Sequence, residues 1–117
     1  MCPDWANFYS AMAYPGSRLY KSALEHNLAL PDKWLGFSQQ AYETLPLPTD
    51  HVTAGEVISF RDEAFHVFFS DPRYLKYVEE RFGKETADHI REMTKTRLAR
   101  KYATPVAEPA PAGIRPR

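Results

Sequence analysis

Residues Trp5 to Met12 read Trp-Ala-Asn-Phe-Tyr-Ser-Ala-Met, and Ala13-Tyr14-Pro15-Gly16-Ser17 follows directly. The run is apolar on both alternating faces and rich in aromatics. That is the pattern of a strand buried on both sides, and one that a short helix segment also permits. Pro15-Gly16 breaks the run, and Ser17 is a good N-cap for a helix that opens Arg18-Leu19-Tyr20. A strand-turn-helix unit of this kind normally belongs to repeating α/β structure. No second copy follows it, so the chain reads as starting partway through a larger arrangement.

The remaining elements read as helices joined by proline-marked breaks. Leu19, Tyr20, Ala23 and Leu24 recur at helical spacing, and Asn27 suits the left-handed residue that ends a helix. From Leu28 to Val52 the prolines of Leu30-Pro31 and Leu45-Pro46-Leu47-Pro48 favour extended backbone. Trp34, Phe37 and Tyr42 imply that this loop lies against a surface. Thr53-Ala54-Gly55-Glu56 has the form of a capping box, opening a helix with Val57, Ile58, Phe60, Ala64, Phe65, Phe68 and Phe69. Asp71-Pro72 caps and starts the next helix, which carries Tyr74, Leu75, Val78 and Phe82 and ends at Gly83. The pattern then predicts a last helix over Lys84 to Tyr102. Beyond it, Pro105, Pro109, Pro111 and Pro116 alternate with small residues and arginine, a composition expected to stay disordered.

The expected fold is therefore an α-rich α/β fragment. One strand-turn-helix unit of a partial (β/α) barrel fills 1–27, an ordered loop 28–52, about three helices 53–102, and a proline-rich tail 103–117.

Composition excludes several classes. Within 117 residues, fifteen Lys+Arg balance fifteen Asp+Glu, so no global field draws nucleic acid or an acidic partner. Cys2 is the only cysteine, which rules out an internal disulfide or a cysteine-based zinc site. There is no secretory signal and no apolar run of membrane-spanning length, and the reading is a soluble cytoplasmic protein.

Few residues group in a way that carries chemistry. Glu63-Ala-Phe-His66 has the spacing used by di-iron helical bundles, where residues three apart share a face. Only one copy is present, and Glu85, Asp88 and His89 do not supply a second. The plainer reading is a solvated rim of Asp62, Glu63 and His66 beside a phenylalanine stripe. Arg91, Lys95, Arg97, Arg100 and Lys101 read as cations complementing the dipole of the last helix. His26 and His51 stand without catalytic neighbours, and no phosphate loop, dinucleotide fingerprint or nucleophile elbow occurs.

The segment Ala6-Asn7-Phe8-Tyr9-Ser10-Ala11-Met12-Ala13-Tyr14-Pro15-Gly16-Ser17-Arg18-Leu19-Tyr20 resembles a known family. Leu30-Pro31-Asp32-Lys33-Trp34, Tyr42-Glu43-Thr44-Leu45-Pro46, Phe60-Arg61-Asp62-Glu63-Ala64-Phe65 and Asp71-Pro72-Arg73-Tyr74 follow it in the same order. Over residues 5–102 the chain is similar to the end of the barrel and the helical extension of radical S-adenosylmethionine enzymes, in the branch with a cobalamin-binding domain. The resemblance implies radical chemistry, often methyl transfer, with a [4Fe–4S] cluster, S-adenosylmethionine and cobalamin. The cluster motif Cys-x-x-x-Cys-x-x-Cys is absent, so the chain is expected to bind none of these alone. The missing N-terminal barrel portion, supplied in trans, is the implied partner.

The same resemblance places the cofactor side of the barrel near the end of the strand. Alternation allows either Asn7, Tyr9 and Ala11 or Ser10 and Met12 to face inward. Asn7 and Tyr9 are the preferred cofactor-binding residues, with Tyr14 in the turn beside them. Two rival readings stand next to this one: a free-standing helical interaction module docking through its aromatic stripes, and a small metal carboxylate protein around Glu63 and His66.

Overall fold

A computed structural model describes residues 2–104. Its helices are α1 (Arg18–Glu25), α2 (Ala54–Ser70), α3 (Pro72–Phe82) and α4 (Lys84–Met93), with a short 3-10 turn at Trp34–Phe37. Among the described residues there is no strand and no sheet, which overturns the strand-turn-helix unit and the α/β class expected for residues 1–27. The turn and the helix are present as expected: Ser17 N–H bonds to Tyr14 O at 3.0 Å, Gly16 sits at φ +86°, and Ser17 Oγ accepts from Tyr20 N–H. Asn27 takes the left-handed conformation at φ 53°. The missing element is the strand.

Residues 5–12 are extended but pair with no neighbouring strand. Their burial also differs from a strand covered on both sides: Ser10 and Met12 are buried and Phe8 half-buried, whereas Trp5, Asn7, Tyr9 and Ala11 are exposed. Buried backbone polar groups must find partners, and here two side chains and one loop amide supply them. Gln39 Oε1 accepts from Ser10 N–H at 2.8 Å while Gln39 Nε2 donates to Ser10 O at 2.9 Å. Arg61 Nε donates to Phe8 O at 2.8 Å, and Leu47 N–H bonds to Ala11 O at 3.1 Å.

Local chemistry explains the helix boundaries. Thr53 and Glu56 form the expected capping box at the start of α2. The side chain of Asp71 accepts from Arg73 N–H at 2.8 Å where Pro72 opens α3. The side-chain and backbone hydrogen bonds from Arg73 hold the Asp71 carboxyl down at about 2. Gly83, at φ +95°, separates α3 from α4 in a conformation that other residues rarely adopt.

The core lies where α2, α3 and α4 meet, at Phe69, Tyr74, Val78, Ala87 and Ile90. Phe69 is its aromatic centre. The rings of Trp5, Phe65, Phe68 and Tyr74 stand 4.5, 4.8, 4.9 and 5.6 Å from it in tilted or edge-on arrangements. Tyr74 Oη then donates to Asp4 O at 2.9 Å, and Tyr77 Oη also bonds to Asp4, so the N-terminal segment is drawn over this core.

The last helix is shorter than its pattern predicts, ending at Met93 instead of Tyr102. Residues 95–104 run back across the molecule, with Lys101 N–H on Tyr42 O at 2.9 Å and Thr104 N–H on Gly55 O at 3.4 Å. Helix propensities differ by only about 0.7 kcal/mol per ordinary residue. The buried contacts of Arg100 described below exceed that preference. The tail expected over 103–117 lies outside the described residues from position 105 onward.

Gly55 is where this returning strap meets α2. A Cβ there would collide with Tyr102 O and lie 2.7 Å from Thr104 Oγ1. Alanine in a helix interior normally gains about 1 kcal/mol over glycine. Gly55→Ala is expected to do the reverse and lift the strap. Hydrogen exchange at the Lys101 and Thr104 amides checks this; faster exchange is the expected result, and a net stabilisation contradicts it.

Candidate functional site

The best-organised polar site in the described residues is built around Arg100, whose side chain is 2% exposed. Its Nε and Nη2 grip the two Asp62 carboxylate oxygens, each at 2.9 Å, a two-point geometry that matches the guanidinium fork. Nη1 also donates to Ala41 O (2.9 Å) and Thr44 Oγ1 (3.0 Å), and Nη2 to Gln39 O (2.8 Å). On the other side of Asp62, Arg61 Nη1 donates to Oδ1 at 2.9 Å.

These contacts continue through Arg61 to Phe8 and through Gln39 to Ser10. One connected network therefore ties together the N-terminal segment, the 39–44 loop, α2 and the returning strap. Burial pushes the Asp62 carboxyl up, but hydrogen bonds and charge from Arg100 and Arg61 outweigh it and hold the group below its ordinary value. The sequence reading missed this site. It assigned Arg100 to a helix-dipole cluster and Asp62 to a solvated rim.

Of the three residues expected at a cofactor, Asn7 and Tyr9 lie together on the exposed side of the N-terminal segment. Asn7 Oδ1 accepts from Trp5 Nε1 at 3.2 Å, and Tyr9 is 69% exposed. Both line a cleft between residues 7–11 and the N-terminal half of α2. Tyr14 belongs to a different neighbourhood. Its ring is 6.3 Å from Phe37, which is 6.0 Å from Trp34. Trp34 is 78% exposed and Leu35 58%, so this corner presents an aromatic patch to solvent. The loop is ordered, as Leu45 N–H on Gly36 O (3.0 Å) indicates, but its Trp34, Leu35 and Tyr42 side chains are exposed, whereas Phe37, Leu45 and Leu47 are half-buried.

The paired metal reading does not assemble. Glu63 is exposed and lies 3.5 Å from Arg97, whereas His66 is buried edge-on to Phe65 at 5.4 Å. Among the described residues no three His, Cys, Asp or Glu side chains converge as metal ligands. An iron–sulfur cluster needs several thiolates. The lone, exposed Cys2 does not fit one.

No helix among the described residues is long and apolar enough to cross a membrane. No protein-family model matches the chain, and no curated protein or solved structure is significantly similar to it.

Proposed function

We propose that the chain is a non-catalytic docking part of a radical S-adenosylmethionine enzyme, serving a catalytic body that carries the cluster cysteines. The observation that carries the docking reading is the Tyr14–Trp34–Phe37 patch. Exposed tryptophan and tyrosine on an ordered scaffold are the residue types that concentrate binding energy in protein interfaces. The family assignment rests on the ordered segments between residues 5 and 102, and the single cysteine keeps the cluster off this chain.

The test is co-expression with the nearest upstream reading frame carrying Cys-x-x-x-Cys-x-x-Cys. A one-to-one complex is expected, and Trp34→Ala should weaken it by about tenfold or more, as loss of an interface anchor does. No such frame, or a complex indifferent to Trp34→Ala, overturns the reading.

A free-standing interaction module is the second reading, and one specific observation favours it. Gln39 and Arg61 satisfy the backbone of Ser10 and Phe8 internally, so this part of the segment needs no strand from another chain. Under that reading the isolated chain docks through the same patch onto a partner without a cluster.

A further inference from the structure

The Tyr14–Trp34–Phe37 corner is exposed but held in shape from below. Gly36 packs so closely that a Cβ there would collide with Pro31 Cβ and lie 3.4 Å from Glu43 O. Thr44 Oγ1 donates to Ser38 O at 2.6 Å and to Ala41 O at 2.7 Å, closing the loop behind the turn. Tyr14 is fixed from the other side, its carbonyl accepting from Ser17 Oγ at 2.6 Å. The rings of Tyr14, Phe37 and Trp34 thus follow one another at 6.3 and 6.0 Å on a braced backbone. Exposed aromatic rings of this kind are what proline-rich segments dock on, because proline arrives with its φ already fixed and loses little freedom on binding.

The chain carries such a segment. Pro105, Pro109, Pro111 and Pro116 fall within the thirteen residues 105–117. The returning strap delivers that segment close to the patch. Thr104 N–H bonds to Gly55 O, and the neighbouring Ala54 shares a small cleft with Leu45. Leu45 is one hydrogen bond from Gly36, in the middle of the 34–37 turn. Thirteen extended residues reach about 40 Å at about 3.1 Å each, ample for so short a path. Charge agrees in sign. Asp32 and Glu43 outnumber Lys33 beside the turn, whereas Arg115 and Arg117 outnumber Glu108 in the segment.

We propose that residues 105–117 dock back onto the Tyr14–Trp34–Phe37 patch of the same chain. The prolines lie against the rings, and Arg115 and Arg117 face Asp32 and Glu43. The proposal rests on the reading of this patch as a docking surface and names what covers it in the free chain. A partner that uses Trp34 has to displace the segment, so its apparent affinity scales with the fraction of chains whose patch is open.

The test uses the full chain. Cys2 is exposed and is the only cysteine, so Cys2→Ser with Ala112→Cys places a single nitroxide label in the segment. Loss of at least half the signal intensity is expected at the Trp34 indole N–H and at amides 14–17 and 32–37. Pro109→Ser with Pro111→Ser should restore at least half of that loss. Intensity loss as large at residues 48–54, nearer the end of the strap, means an unattached segment and overturns the proposal. So do an absence of loss at Trp34 and a loss that the proline substitutions leave unchanged. Labelled chain mixed with isotope-enriched unlabelled chain should show no loss; a loss there assigns the patch to a second copy and overturns the intramolecular docking. Failure of the partner reading shows separately, in the co-expressed complex.

Discussion

Arg100→Met is expected to destabilise the chain by about 3–5 kcal/mol, the range for breaking a buried ion pair by removing one partner. Methionine keeps much of the volume but supplies none of the donors that Arg100 directs at Asp62, Gln39, Ala41 and Thr44. Asp62, with a side chain 19% exposed, is left with Arg61 alone. Domains are stable by only about 5–15 kcal/mol, so a loss of this size shows as a large drop in the urea midpoint. An unchanged midpoint contradicts it. Replacing both partners, Arg100→Met with Asp62→Leu, should recover part of the loss, since no uncompensated charge then stays buried.

The acid limb of the stability curve gives a second readout of the same pair. The folded Asp62 pKa is lowered, so the unfolded chain takes up the proton more readily. The stabilising contribution is full above the unfolded value, near the ordinary carboxylate range of about 4, and is lost as pH falls through the folded value. In Arg100→Met the principal lowering cause is gone, and this part of the acid sensitivity should flatten. An acid limb of wild-type steepness in that variant contradicts the assignment.

Phe69→Ala is expected to cost about 3–5 kcal/mol, the range for truncating a buried phenylalanine. Phe69 is fully buried and four aromatic rings close on it from α2, α3 and the N-terminal segment. Those rings cannot all collapse into the void, because Tyr74 is tethered to Asp4 and Phe65 and Phe68 share one helix. Trp5, 4.5 Å from the Phe69 ring, provides a local probe. Its fluorescence should change with the melting temperature. Phe69→Leu should fall well short of that loss, since it keeps most of the buried surface. Equal losses for the two variants would mean that ring contacts, and not volume, hold this corner.

The helices were legible where their signals are local. Ser17, Thr53 with Glu56, Asp71-Pro72, Gly83 and Asn27 act through backbone groups a few residues away, and each is placed as its pattern predicts. Residues 5–12 were misread because an extended run looks alike in sequence whether strands or side chains satisfy it. Gln39, some thirty residues away, carries no sign that its amide will do so. Arg100 was misread for a related reason. A basic residue near the end of an amphipathic run is ordinarily solvated, and only Asp62, Gln39, Ala41 and Thr44 together make a buried place for it. Of the residues named for a cofactor, Asn7 and Tyr9 share one cleft, whereas Tyr14 stands with Phe37 and Trp34.

The amide of Gln39 carries out for Ser10 what a whole strand carries out in a sheet, and this changes how the N-terminal segment is held in place. A strand ladder repeats its bonds, so a segment displaced by two residues finds equivalent partners. A single side-chain amide has one such position to offer. Displacement by one residue turns Phe8, Ser10 and Met12 to solvent, because side chains alternate along extended backbone. Displacement by two residues keeps the alternation but moves Ser10 off the amide and Phe8 O off Arg61. Gln39 and Arg61, from two distant parts of the chain, set the register together with the Leu47 N–H bond to Ala11 O, and the segment has one alignment in which all three are satisfied.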